Sequence, residues 1–162
     1  LLDPRSLAIA SLNKVEALIR QTNFYRQKAK RITNFSQHLV NKYNGSLDKL
    51  FNRPTAEIRK ELLSLEGIGL ETADSILLYA ADKLTFPIDA YTIRICERLG
   101  VKETEYGELK ALFEGTLPKD LEVYKECHAL IDKLGKTHCK AKPLCSECPM
   151  VNNCSFHLNR GQ

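Results

Sequence analysis

The sequence predicts an all-α protein, and three observations carry that expectation. Apolar residues recur at helical spacing along nearly the whole chain, no segment sustains the two-residue alternation of a half-buried strand, and the breaks between periodic stretches fall mainly on glycine or proline. Asp3-Pro4 reads as an N-cap followed by the first helical position. Asn13 with Glu16 three residues later forms a capping-box pattern that opens a short helix carrying Val15, Leu18 and Ile19. A longer helix is predicted from Tyr25 to Tyr43, with Ala29, Ile32, Leu39 and Tyr43 on one face, a solvated face of Arg26, Lys28, Lys30 and Arg31, and a left-handed cap at Gly45. Pro54-Thr55 opens the next helix, with Ile58, Leu62 and Leu65 inward, and Gly67-Ile68-Gly69 breaks it. Ala73, Ile76, Leu77 and Ala80 continue at helical spacing up to the break at Phe86-Pro87. Asp89 stands where an N-cap belongs, before Ile93, Ile95 and Leu99, and Gly100 closes that helix. Two further amphipathic helices are expected near Tyr106–Phe113 and Leu121–Leu134, the second ending at Gly135.

The chain has 162 residues and 43% hydrophobic content, enough for one domain or two small packed ones. No apolar stretch approaches a membrane span, and no basic start followed by an apolar run marks a secretory signal. The net charge of +4 is local: from Lys133 onward there are five basic residues and one acid, whereas 19 of each sign precede that point. A basic patch favours a polyanionic partner, although charge alone is equally consistent with a solvated surface. The same segment holds Cys139, Cys145, Cys148 and Cys154, spaced C-x5-C-x2-C-x5-C. So short a stretch cannot form its own core, but it can wrap an inorganic centre with thiolates. Spacing alone leaves an iron–sulfur centre and zinc both open, with His138 and His157 as flanking donors for the latter. Cys96 and Cys127 lie in apolar helical segments and are expected to be buried thiols, and His128, on an apolar helix face, and His38, on the surface, are expected to be satisfied packing residues.

The segment Leu65-Glu66-Gly67-Ile68-Gly69-Leu70-Glu71-Thr72-Ala73 joins two predicted helices by a glycine turn. Such a turn brings backbone amides, at the positive end of the second helix, close enough to hold a phosphate, while Ile68 plugs the hairpin onto the core. That grip is on the DNA backbone and carries no sequence information; an ordinary helix–helix turn is the alternative. Asp89 follows Glu71 by eighteen positions. A carboxylate there can stabilise a cationic sugar or orient a water, or it can simply cap its helix.

Leu65–Ala73, then Pro87-Ile88-Asp89-Ala90-Tyr91-Thr92-Ile93-Arg94 and Arg98-Leu99-Gly100, then the four-cysteine loop, resemble the endonuclease III branch of the helix-hairpin-helix DNA glycosylases over nearly the whole chain, from about Leu1 to Cys154. The resemblance implies a helical glycosylase fold with a C-terminal 4Fe-4S cluster loop, zinc being the alternative. It implies a helical domain over 12–100, with the hairpin at 62–83, and a second region made of 1–11 and 101–162 with the cluster loop at 139–154. Asp89 is implied as the catalytic residue, and Gly67, Ile68, Gly69, Thr72, Lys140 and Lys142 as DNA contacts. Glu71 and Tyr91 are implied at the substrate pocket, and the four cysteines as cluster ligands. The expected partner is double-stranded DNA with a damaged base, flipped out before reaction, and the expected location is the cytoplasm, on the nucleoid in a prokaryote.

Three departures shape the expectation. Bifunctional members carry a catalytic lysine where this chain has Glu71, so no Schiff base with the sugar forms by the usual route and a monofunctional glycosylase is implied. The first cysteine gap is five residues where six is common. The family's domain begins several helices earlier, so a missing N-terminal segment, a second polypeptide or a dimer partner is expected to complete it. Glu71, Asp74 and the Tyr91 context look most like the 3-methyladenine glycosylases, whose cationic bases an aromatic pocket can hold; Phe24, Tyr25 and Tyr91 are the aromatics available. A mismatch-specific glycosylase, an endonuclease III-type glycosylase/lyase and a non-catalytic DNA-binding module are the alternatives.

Overall fold

The computed structural model describes residues 3–159; Arg160 and the outer ends of the expected 1–11 and 101–162 segments lie outside the described residues. Every regular element among the described residues is helical. The chain forms two compact units whose boundary falls between Gly69 and Leu70, inside the predicted hairpin.

The first unit holds α1 (Pro4–Ile9), α2 (Leu12–Leu18), α3 (Tyr25–Tyr43), α4 (Leu47–Phe51) and α5 (Thr55–Leu63). Asp3 caps α1 as expected, its Oδ2 accepting from the Ser6 N–H at 2.9 Å. The Asn13 capping box does not form: α2 starts two residues earlier, capped at Ser11, so Asn13 is already inside the helix. The periodic face of α3 is confirmed by burial of Ala29, Leu39 and Tyr43, packed with Val15, Leu50, Ile58 and Leu62. Two successive left-handed residues, Asn44 at φ +54° and Gly45 at φ +78°, end the helix.

His38 is satisfied as expected, but half-buried rather than open on the surface. Its side chain is 23% exposed, and its Nε2 lies 2.7 Å from Oε1 of Glu61, whose side chain is 8% exposed. Glu61 also accepts from Lys42 Nζ at 2.7 Å, the Tyr43 hydroxyl at 2.8 Å and Arg53 Nη1 at 2.5 Å, tying α3 to α5. Burial pushes the Glu61 pKa up, but the bonds from Lys42, His38, Tyr43 and Arg53 outweigh it and hold the carboxyl at about 2, below its ordinary 4.5. Because the folded value lies below the unfolded one, the stabilisation is complete above pH 4.5 and is lost as pH falls toward 2. Glu61→Gln is expected to remove up to about 3 kcal/mol at neutral pH and to flatten the acid limb of a Tm-versus-pH curve; an unchanged acid limb would show the network to be inert.

The second unit holds α6 (Leu70–Tyr79), α7 (Ala90–Leu99), α8 (Tyr106–Thr116), α9 (Leu121–Thr137) and α10 (Ser155–Leu158), with short 3-10 turns at Cys145–Glu147 and Val151–Asn153. Its core gathers Leu78, Phe86, Ile88, Cys96, Leu109 and Tyr124, with Phe86 stacked on Phe113 at 4.4 Å and meeting Tyr124 edge-on at 5.7 Å. Cys96 is buried as expected and Cys127 half-buried. Gly100 ends α7 at φ +90°. Gly135 does not end α9. It is buried inside the helix, where a Cβ would stand 2.4 Å from the Tyr91 ring; the glycine serves close approach of Tyr91 rather than termination. No helix among the described residues is long and apolar enough to cross a membrane.

Candidate active site around Asp89

The segment leading to Asp89 is irregular but its backbone is held by side chains of the second unit. The Phe86 N–H donates to Glu114 Oε1 at 2.8 Å and the Ile88 N–H to the Tyr106 hydroxyl at 3.4 Å. Tyr106 donates in turn to Asp74, a fully buried carboxylate at 2.7 Å that also accepts from Thr85 and lies 3.4 Å from Lys110 Nζ. Asp74 thus belongs to the polar scaffold under the segment. With every member paired, such a network rigidifies what it carries.

Asp89 then caps α7. Its Oδ1 accepts from the Thr92 N–H at 2.7 Å and the Thr92 hydroxyl at 2.8 Å, the expected capping role. Its Oδ2 faces α9, 3.9 Å from Nε2 of His128. His128 packs against Phe86 and Tyr79 but is not the satisfied packing residue its place on an apolar helix suggested. Its Nδ1 lies 2.8 Å from the Tyr79 hydroxyl, and its buried Nε2 has no hydrogen-bond partner. Burial pulls the His128 pKa down, against the opposing charges of Asp89 and Asp132. No local periodicity could have revealed this residue; a polar imidazole beside Cys127 in an apolar stretch was the sole hint.

Glu71, in the first turn of α6, feels the same site. Part of it is open to solvent, yet burial of the rest pushes its pKa up and the Asp89 charge adds to the shift. Tyr91 packs half-buried on Gly135, with the Arg94 guanidinium 5.0 Å and Lys136 Nζ 6.0 Å from its ring centre. Lys136 is paired with Asp132 at 2.7 Å and Lys125 with Asp82 at 2.7 Å, and both pairings raise the lysine pKa. Thr72 lies exposed in the first turn of α6. Leu70 and Tyr79 add exposed apolar surface on the same helix.

In the first unit, the glycine turn has Gly67 at φ +85°, a conformation that disfavours any side chain, and the Ile68 N–H bonds Leu65 O at 3.1 Å. Ile68 is half-buried. Gly69 has ordinary angles but open space where a Cβ would stand, so its contribution is unobstructed surface rather than an unusual backbone. Phe24 is exposed and left-handed at the start of α3, and Tyr25 follows half-buried.

The four loop cysteines are free thiols, each half-buried. Two arginines of α7, given no role in the sequence reading, organise the loop. Arg94 Nε donates to Cys139 O at 2.8 Å; Arg98 Nη1 donates to Lys140 O at 2.7 Å and to Cys139 Sγ at 3.2 Å, and its Nη2 to Ala141 O at 3.3 Å. At the other end the Cys154 thiol donates to Arg98 O at 3.4 Å and the Ser155 hydroxyl to Leu99 O at 2.8 Å. Lys140 and Lys142 project from this tied segment and are exposed. Four unpaired thiols, two of them resting on Arg98, fit a thiolate-bound centre in their chemistry. Among the described residues, no three His, Cys, Asp or Glu side chains are gathered as a metal-binding group, so no coordination geometry is drawn.

Residues 1–119 match the family described as HhH-GPD superfamily base excision DNA repair protein. A Methanocaldococcus jannaschii protein named "Putative DNA repair glycosylase" is 47% identical over 146 residues, 88% of this chain and 66% of that protein. Among solved structures, a trapped endonuclease III–DNA covalent intermediate superposes with a TM-score of 0.79 at 28% identity, covering 100% of this chain and 73% of that one. An H. pylori 3-methyladenine DNA glycosylase bound to 1,N6-ethenoadenine gives 0.70 at 28% identity, covering 82% and 66%. The chain spans about two thirds to three quarters of the length of these proteins. The all-helical architecture is that of the helix-hairpin-helix glycosylases, and the chain belongs to the HhH-GPD superfamily of base excision DNA repair proteins.

Proposed function

We propose that this chain forms the core of a monofunctional DNA N-glycosylase that releases a damaged base, of the cationic alkylated class, from double-stranded DNA. The observation that carries the reading is the pairing of Asp89 with Glu71. Asp89 has one oxygen saturated by Thr92 and the other directed away from it, and its charge reaches Glu71, which by the family resemblance stands where bifunctional members carry their catalytic lysine. Loss of the base leaves a sugar of oxocarbenium character, which the Asp89 carboxylate stabilises while water adds to the anomeric carbon. Among the described residues, the lysines whose charges reach this site, Lys125 and Lys136, are both ion-paired and held protonated, so neither offers an amine nucleophile. A base already carrying positive charge needs little acid catalysis to leave, and the negative potential of Glu71 and Asp89 favours it.

In this proposal Gly67, Ile68, Gly69 and Thr72 contact the DNA backbone through hairpin amides and the Thr72 hydroxyl, with Lys140 and Lys142 contributing phosphate contacts from the tied loop. Tyr91 is kept as a pocket-side residue. Cys139, Cys145, Cys148 and Cys154 are proposed to hold a 4Fe-4S cluster, which when bound supplies a rigid anchor for the loop. The division into 12–100 and 1–11 with 101–162, completion by a further N-terminal segment or partner, and a cytoplasmic setting belong to the same proposal.

The test is base release from duplexes carrying 3-methyladenine, 1,N6-ethenoadenine, a G·T mismatch or an oxidised pyrimidine, with borohydride trapping on an abasic site. Release of the alkylated bases without trapping is expected. Release of mispaired thymine alone would favour a mismatch enzyme, trapping would identify a lyase, and binding without turnover would leave a DNA-binding module. The purified chain is expected to show the broad visible absorption of a thiolate-ligated iron centre and to lose it in Cys148→Ser; a colourless protein containing zinc would refute the cluster assignment.

A further inference from the structure

We propose that His128 is a positioning residue for Asp89, aiming its Nε2–H at Asp89 Oδ2 while the Tyr79 hydroxyl holds its Nδ1. This rests on the glycosylase reading for its catalytic consequence, but not for its geometry.

The argument starts from an orphaned atom. His128 Nε2 is buried without a partner, and its nearest charged atom is Asp89 Oδ2 at 3.9 Å. A buried polar nitrogen left unpaired is destabilising, a cost that a merely structural histidine on α9 could avoid by substitution. The hydrogen-bond arithmetic then selects the tautomer. The Tyr79 oxygen lies 2.8 Å from His128 Nδ1 and 3.3 Å from Lys125 O. If the hydroxyl donates to the carbonyl, Nδ1 must carry the imidazole proton and Nε2 turns a lone pair toward a carboxylate oxygen. If it donates to Nδ1, over the shorter distance, Nε2 carries the proton and faces Asp89 with an attractive N–H. Electrostatics selects the second arrangement.

At 3.9 Å the contact is too long for a hydrogen bond. Catalytic hydrogen bonds are often loose before substrate arrives and tighten in the complex. Thr92 already fixes Oδ1; an N–H on Oδ2 fixes the plane of the carboxylate, so its charge does not rotate away from the developing cation. The role requires an uncharged ring, because an imidazolium would cancel the Asp89 field. Burial supplies this against the two carboxylate charges that reach the ring, Asp89 from the start of α7 and Asp132 on α9; the uncharged Tyr79 hydroxyl of α6 meets Nδ1, and the Lys125 charge acts on that tyrosine. The edge of Phe86, 5.9 Å from the ring centre, adds apolar cover.

The test uses the full chain. His128→Ala is expected to lower kcat on an alkylated duplex by about 10- to 100-fold with Kd for DNA unchanged, and His128→Gln, which restores an N–H donor, to recover most of the loss. Tyr79→Phe is expected to lose several-fold, with the acid limb of its pH–rate profile displaced. A purely structural histidine would shift Tm and Kd and would not be rescued by glutamine. Ring 15N NMR provides a readout independent of activity: the Nε2–H tautomer is expected, and Asp89→Asn is expected to lower the His128 pKa. An Nδ1–H tautomer, or a His128 titration indifferent to Asp89→Asn, overturns the proposal even if the chain is a glycosylase. Absence of base release with the expected NMR result overturns the glycosylase reading and leaves the Asp89–His128 pairing standing.

Discussion

Asp89→Asn is expected to slow base release by about 1,000-fold or more while leaving the fold and DNA binding intact. The substitution separates the two roles of the side chain. As a helix cap, asparagine is equivalent: its carbonyl oxygen can accept the bonds that Oδ1 now takes from the Thr92 N–H and hydroxyl. The stability cost is therefore expected to stay within about 0.5 kcal/mol. As a charge, it is lost, and an amide replaces the carboxylate oxygen facing His128. Single-turnover base release, DNA binding by anisotropy and Tm should be measured on one preparation. DNA affinity should hold or rise, since one negative charge leaves the neighbourhood of phosphate. A variant with wild-type turnover would reduce Asp89 to a structural cap and remove the basis for the mechanism; a variant that loses Tm and turnover together would show that the capping role dominates.

What could be read from the sequence depended on how local the cause was. Asp89 was legible because an N-cap is a one-turn phenomenon, stated by Asp89, Thr92 and the apolar residues that follow. The left-handed turn at Gly67 was legible for the same reason. The start of α2 departs from the expectation because Ser11 and Asn13 are both cap-forming residues two positions apart, and local cap preference does not decide between them. Gly135 carries a terminator's identity, yet its cause is the Tyr91 ring arriving from α7, which no local pattern contains. His128 fails to announce itself in the same way. Its partners, Tyr79 and Asp89, come from two other elements of the fold, and periodicity reports only that its own helix is amphipathic. The cysteine spacing was legible, but its anchoring to Arg94 and Arg98 was not, because those two arginines sit one turn apart on a helix more than forty residues before the loop and meet it only through the fold.

Glu71→Lys is expected to convert a chain that gives no borohydride-trapped complex into one that does. The amine would enter at the first turn of α6, where Glu71 now feels both burial and the Asp89 charge. The two influences act oppositely on a lysine: burial favours the neutral amine and the Asp89 carboxylate favours the ammonium. A neutral fraction is all that Schiff-base formation needs, because covalent capture by borohydride is irreversible and accumulates with time. The native lysines provide the internal comparison. Lys125 and Lys136 are bound to Asp82 and Asp132 at 2.7 Å and have no free electron pair to offer, so the parent chain should stay untrapped under the same conditions. Abasic-site duplex is the appropriate substrate, since it removes base recognition from the measurement. Replacing the acid also removes negative charge next to Asp89, so release of a cationic base should weaken in the same variant even as trapping appears. Trapping in the parent chain would place a competent amine elsewhere in the protein. Persistent failure of Glu71→Lys to trap, with the fold intact by Tm, would mean that position 71 does not look onto the sugar, and the assignment of the chain as monofunctional would lose the residue on which it rests.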